Sequence, residues 1–220
     1  MNKPKRIGVL QNSLHFLILA DKAAQSIQAS QTRESGKPEA LHSVILASVA
    51  LEAFINEKVE MAAQLCNASP QPDPIVVFSH IMTDAEESKA SVRSKYELAH
   101  WVLCGGAYDR NKALYKDFVL LTELRNSIVH LKPWPKVVER LVGRGLLAHT
   151  KQAEVVRLIK SYSGGWIVQV QTKEMAVWAS QTATKFIANF LDSAASNARV
   201  RSLMPTKAEF FDSYSFLLMR

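Results

Sequence analysis

Apolar residues recur along this chain at intervals of three and four, not in alternation, and that period predicts helices with no sheet. Residues 9 to 30 carry Leu10, Leu14, Leu17, Ile18 and Ala24 on one side and stop before the polar run from Gln31 to Lys37. Pro38 suits a first helical turn, and residues 39 to 66 are apolar on nearly every side, as a central helix requires. Pro70, Pro72 and Pro74 then break the chain. A capping box, Thr83-x-x-Glu86, predicts a helix start, with the end near Leu103 before Gly105-Gly106. Further helices are expected over residues 111 to 131, 136 to 142, 150 to 161 and 173 to 192, with a turn at Gly164-Gly165. A second box, Thr206-x-x-Glu209, opens a terminal helix carrying Phe210, Phe211, Tyr214, Phe216 and Leu217. So much aromatic surface must be buried, on the bundle itself or on a partner. The pattern describes one all-α domain over residues 1 to 220, with a core at about 38 to 192 and peripheral helices at 1 to 30 and 195 to 220.

Composition agrees with a helical reading: 220 residues hold only 8 glycines and 8 prolines, and the length suits one substantial core. The formal charge of +7 favours an anionic partner, of which nucleic acid is the commonest, although a basic surface also serves solubility. Cys66 and Cys104 are widely separated and lack neighbouring cysteines or histidines, so neither a disulfide framework nor a zinc site is expected. Lys3, Lys5 and Arg6 precede an apolar stretch, but Gln11, Asn12, Ser13 and His15 interrupt it, so no signal peptide is read there. No run reaches the eighteen or so uninterrupted apolar residues of a membrane span. The expectation is a soluble, cytoplasmic protein with no membrane association. Phosphate-cradling glycine loops, dinucleotide fingerprints, nucleophile elbows and HExxH zinc motifs are missing from the sequence, which disfavours those enzyme classes.

The segment Arg125-Asn126-Ser127-Ile128-Val129-His130, followed by Leu131-Lys132-Pro133, joins a permanent cation, an amide and an imidazole at one helix end. Spacing alone selects nothing, because Arg93 with His100 and Arg144 with His149 fit the same loose pattern. Context favours Arg125 and His130. Leu114, Phe118, Leu121 and Ile128 repeat at helical spacing, and Arg125 stands where the stripe predicts another hydrophobe. Arginine on a buried stripe needs an anion or a cleft. Arg144, between Gly143 and Gly145, reads as a turn residue, and Arg93 reads as a surface arginine. Pro133 and Pro135 force the helix to stop near His130 to Lys132. Five residues turn a side chain by roughly 140° on a regular helix, so the pair meets only if the last turn unwinds or a second subunit completes the site.

The chain here resembles the HEPN superfamily, all-α domains with an Arg-polar-x-x-x-His type signature at a helix end. The likeness extends through Ser48-Val49-Ala50-Leu51-Glu52-Ala53-Phe54-Ile55-Asn56-Glu57, Lys95-Tyr96-Glu97-Leu98, Tyr108-Asp109-Arg110, Asp117-Phe118, Trp166 and Met175-Ala176-Val177-Trp178-Ala179. It covers residues 38 to 192. The resemblance implies an up-and-down helical bundle and a metal-independent endoribonuclease of the toxin or phage-defence kind. It implies catalysis by Arg125 and His130 with Asn126 in support, at a site shared between two protomers. A homodimer, an RNA substrate, a cognate antitoxin and no cofactor or metal follow from the same likeness. Members that have lost catalysis and bind RNA or a protein partner set the alternative.

Glu52 and Asn56 lie four apart on an otherwise apolar helix and need polar partners. Two readings stand beside each other: Glu52 orients Arg125 or His130, or the pair is purely structural. Lys132 and Lys136, with Arg140 and Arg144 beyond, extend positive charge past the signature and suit an RNA backbone, or form a solvated face. Trp134, between two prolines, is the tryptophan nearest the signature.

Overall fold

Helices make up every regular element among the described residues: nine α-helices, one 3-10 turn at Ala198–Val200, and no strand. The structure, a computed structural model, describes residues 12–27, 36–130, 136–142, 144, 146–147 and 165–218, excluding the side chains of 142 and 213–218. In chain order the helices are α1 Asn12–Ser26, α2 Pro38–Ala68, α3 Asp73–Glu87, α4 Val92–Cys104, α5 Ala113–Val129, α6 Lys136–Val142, α7 Gly165–Gln169, α8 Lys173–Ala195 and α9 Lys207–Leu218. The protein is all-α, as the apolar period predicts. Residues 150 to 161, expected as a helix, lie outside the described residues.

The described chain divides into two compact units. One draws on the ranges Met1–Leu14, Leu51–Arg110 and Ile187–Arg220, and the other on His15–Ala50 and Asn111–Phe186. Helices α1, α2 and α8 contribute a segment to each.

In the first unit the core is aromatic. Phe54 of α2 stacks on Tyr96 of α4 at 6.4 Å and meets Phe190 of α8 and Phe210 of α9 edge-on at 6.1 and 5.5 Å. All four rings are fully buried, and edge-to-face geometry adds about 1 kcal/mol per pair beyond area burial. Tyr96 Oη donates to the Leu51 carbonyl at 2.9 Å, so its buried hydroxyl is satisfied. Phe210 thereby docks the terminal helix on its own unit. That helix starts as its sequence predicts: Thr206 N–H donates to Glu209 Oε2 at 2.7 Å, and Glu209 N–H donates to Thr206 Oγ1 at 3.2 Å. The hydrogen bonds from Thr206 hold the Glu209 carboxyl below its usual range.

The other capping box does not form. Thr83 lies inside α3, where its hydroxyl donates back to the Ser79 carbonyl at 2.9 Å. The chain restarts its helix earlier, with Pro74 in the first turn of α3, and starts again at α4, where Ser91 Oγ accepts from Ser94 N–H at 3.1 Å. Serine three residues before a free amide is as good a cap as threonine, and the local Ser88 to Ala90 turn decides between them. Gly105 closes α4 in the left-handed region at φ 75°. Gly105→Ala meets open space but a strained backbone, so it is expected to lower stability by about 1 kcal/mol, read as a lower melting temperature. An unchanged melting temperature would show that the turn can relax.

The second unit is held by Phe118 of α5 stacked on Phe186 of α8 at 4.0 Å, and by Ala24, Ile27, Ala40 and Ala176, which cluster around α1, α2 and α8. Ser43 Oγ donates to the Ala176 carbonyl at 2.9 Å. Thr172 caps α8, accepting from Met175 N–H at 3.1 Å while its hydroxyl donates to the Leu146 carbonyl at 2.7 Å. Gly165 opens a short helix, and Gly164, the other half of the expected turn, lies outside the described residues. Among the described residues, α2 alone has the length and apolarity of a membrane span, and half of that stretch is buried inside the protein.

Candidate functional site

Helix α5 carries the candidate signature. Tyr115, Phe118, Leu121, Leu124 and Ile128 form its buried side. The hydrophobe expected between Leu121 and Ile128 is Leu124, which is fully buried. Arg125 is therefore displaced by one residue, about 100°, from the core and is half-buried. This corrects the expectation of an arginine on the buried stripe.

The helix does not unwind at its end. His130 is the C-cap at φ −93° and ψ 7°, and its N–H donates to the Asn126 carbonyl at 3.1 Å, the helical i to i−4 bond. The Cβ positions of Arg125 and His130 are thus about 140° apart around the axis. Asn126 bridges that divergence. Its Oδ1 accepts from Arg125 Nη1 at 3.0 Å, which draws the guanidinium toward the Asn126 side. Asn126 and His130 are four residues apart and share a face, about 40° from each other, together with Val129. All three are exposed, Val129 at 49%. A cation, an amide and an imidazole consequently line one open helix end.

The surrounding charge is less basic than the sequence suggests. Arg140 pairs with Glu123, and Arg144 pairs with Asp117, both acids being on α5. These ion pairs spend two of the four cations expected to continue the face. Lys136 is exposed, whereas Lys132 and Trp134 lie outside the described residues.

Glu52 and Asn56 belong to the other unit and are half-buried. Asn56 Oδ1 accepts from Lys95 Nζ at 3.2 Å, and the same ammonium is ion-paired with Glu86. Lys95 is itself buried, which the polar sequence around it conceals. Asn56 thus has a structural partner on α4.

Sequence reasoning passed over a second constellation in that unit. Glu97, Trp101, Tyr108 and Arg110 border a cleft at α4, described below. The available signal was Trp101, an indole placed on the polar side of an amphipathic helix, followed by a glycine turn that brings Tyr108 back. The two cysteines are free thiols, and burial pushes Cys104 up to about 12, so it is inert as a nucleophile. Among the described residues no group of three His, Cys, Asp or Glu side chains is placed to hold a metal ion.

Fold and site together define a class: an all-α protein with a half-buried arginine bonded to an exposed asparagine, and an exposed histidine, at one helix end. No protein-family model, curated protein or solved structure matches the chain.

Proposed function

We propose that this protein is a HEPN-like, metal-independent endoribonuclease whose active site is completed by a second copy of the chain. The observation that carries the reading is Asn126, bonded to Arg125 on one side and sharing an exposed face with His130 on the other. Because α5 stays regular to its end, one protomer presents the two key groups at an angle, and a two-fold pairing of α5 ends supplies the opposing half. Exposed Val129 on that face gives such a pairing an apolar contact.

In this reading His130 takes the proton from a ribose 2′-hydroxyl, and the oxygen attacks the adjacent phosphorus. The bond from phosphorus to the 5′-oxygen breaks, and that oxygen takes a proton from water while the imidazolium returns its own to solvent. Arg125 stabilises the charge growing on the phosphoryl oxygens, and Asn126 holds the guanidinium in place. The products are a 2′,3′-cyclic phosphate and a 5′-hydroxyl, and DNA is not a substrate. Lys132 and Lys136 extend the contact along the RNA backbone. A toxin or phage-defence role, with an antitoxin as partner, belongs to the same proposal and rests on the resemblance.

A non-catalytic module that binds RNA or a protein through the same face is the second reading, favoured by the divergence of Arg125 and His130 within one protomer. Incubating the purified protein with total RNA in EDTA separates the two. Cleavage with cyclic phosphate ends supports the enzyme. Fragments ending in 3′-hydroxyls reject the mechanism, and RNA retention without cleavage supports the module.

A further inference from the structure

Helix α4 and the segment after it build a cleft of about 340 Å³ lined by Ser94, Glu97, Leu98, Trp101, Ala107, Tyr108 and Arg110. Ser94, Glu97, Leu98 and Trp101 stand at positions i, i+3, i+4 and i+7, so they form one stripe opposite the buried face of Lys95, Tyr96, Ala99 and Leu103. The far wall is fixed in place. Gly105 reverses the chain, His100 Nδ1 donates to the Gly106 carbonyl at 2.6 Å, and the Tyr108 ring lies on the His100 ring at 4.0 Å. Arg110 then reaches back to Glu97, with Nη2 to Oε2 at 2.9 Å.

Two features ask for a ligand. Trp101 is 63% exposed, more than any other large hydrophobic among the described residues, and its indole forms part of the wall. The second is Arg110. Glu97 shares its carboxylate between Arg110 and Arg93, the latter not part of the lining. Arg110 remains 65% exposed and uses one nitrogen on Glu97, which leaves most of its N–H donors open to an anionic ligand. A volume near the lower end for small-molecule sites fits one planar ring with an attached charged group.

We infer that this cleft binds a nucleoside monophosphate unit, the base stacking on Trp101 and the phosphate held by Arg110. The unit is either a free nucleotide or one residue of a single strand, and the inference does not depend on the ribonuclease reading. Stacking on an indole tolerates any base, so the site contributes affinity and little sequence preference.

Fluorescence anisotropy with a labelled twelve-residue oligodeoxyadenylate tests this, because DNA lacks the hydroxyl needed for cleavage. Calorimetry with deoxyadenosine monophosphate alone forms the second arm. Trp101→Ala is expected to weaken oligonucleotide binding by about tenfold, and Trp101→Phe to retain most of it. Arg110→Ala should weaken binding and lower the slope of log affinity against log salt by about one. Glu97→Gln, which releases both guanidinium groups, should tighten it. Binding of the mononucleotide identifies a free nucleotide as ligand, and binding of the oligonucleotide only identifies a strand. Equal affinity of wild type and Trp101→Ala, with both melting at the same temperature, overturns the proposal, as does binding of neither probe. Loss of RNA cleavage in His130→Ala with oligonucleotide binding intact separates this cleft from the α5 site.

Discussion

His130→Ala is expected to lower RNA cleavage by about 10²–10⁴-fold, the usual contribution of a positioned general base, with little change in melting temperature. The second half follows from burial: His130 is exposed at a helix end, and surface side chains of that kind carry little stability. Arg125→Ala should match that loss in rate. Mixing the two inactive variants distinguishes a shared site from a site within one protomer. If Arg125 of one copy acts with His130 of the other, each mixed dimer restores one complete site. A random mixture then regains about a quarter of wild-type activity, since half the dimers are mixed and one of their two sites is whole. No recovery on mixing, with dimers present, would place both groups in one protomer and contradict the regular end of α5.

The helical character of the chain was legible because the 3.6-residue period is strong and prolines and glycines punctuate it. Helices α2, α5, α6 and α8 lie close to their expected bounds. What misled was local chemistry with two solutions. Thr83-x-x-Glu86 satisfies the capping-box pattern, yet Thr83 bonds back into a helix already running from Asp73. Nothing in four residues reveals whether a turn precedes them.

At the site, the sequence located Arg125, Asn126 and His130 on α5 but misjudged the register. A stripe read at three- and four-residue spacing leaves one residue of freedom, and Leu124 took the core position assigned to Arg125. Ion pairs were equally hidden. Arg140 and Arg144 look like the continuation of a basic face until α5 folds beside them with Glu123 and Asp117, acids far away in sequence. Lys95 and Lys58 show the converse, because a lysine amid polar neighbours reads as exposed. Periodicity gives the side of a helix, whereas the depth at each position depends on the elements packed over it.

Lys58 leads to the second large effect. It is only 5% exposed, and its ammonium lies 5.3 Å from the centre of the Phe54 ring. Burial pushes its pKa down from 10.5 to about 8, with neighbouring Glu57 resisting the shift. Glu57 is itself engaged at the start of α1, accepting from Ser13 N–H at 2.8 Å and from Ser13 Oγ at 2.6 Å. Below pH 8 the lysine is charged in folded and unfolded chains alike, and the folded state bears the full cost of a buried ammonium. Between pH 8 and 10.5 the unfolded chain binds the extra proton, so this residue's effect on stability improves as pH rises. The cost relieved is about 3 kcal/mol. Lys58→Met keeps the apolar stem and removes the charge, at the loss of a cation–π contact of about 1 kcal/mol. The variant should therefore be more stable at pH 7 by about 2 kcal/mol, a rise in melting temperature of about 4–8 °C. The advantage over wild type should shrink as pH climbs through 8 toward 10. Thermal denaturation of both proteins from pH 6 to 10 reads this difference directly. A gap independent of pH would mean that Lys58 gains its stability from packing alone and that its ammonium reaches solvent.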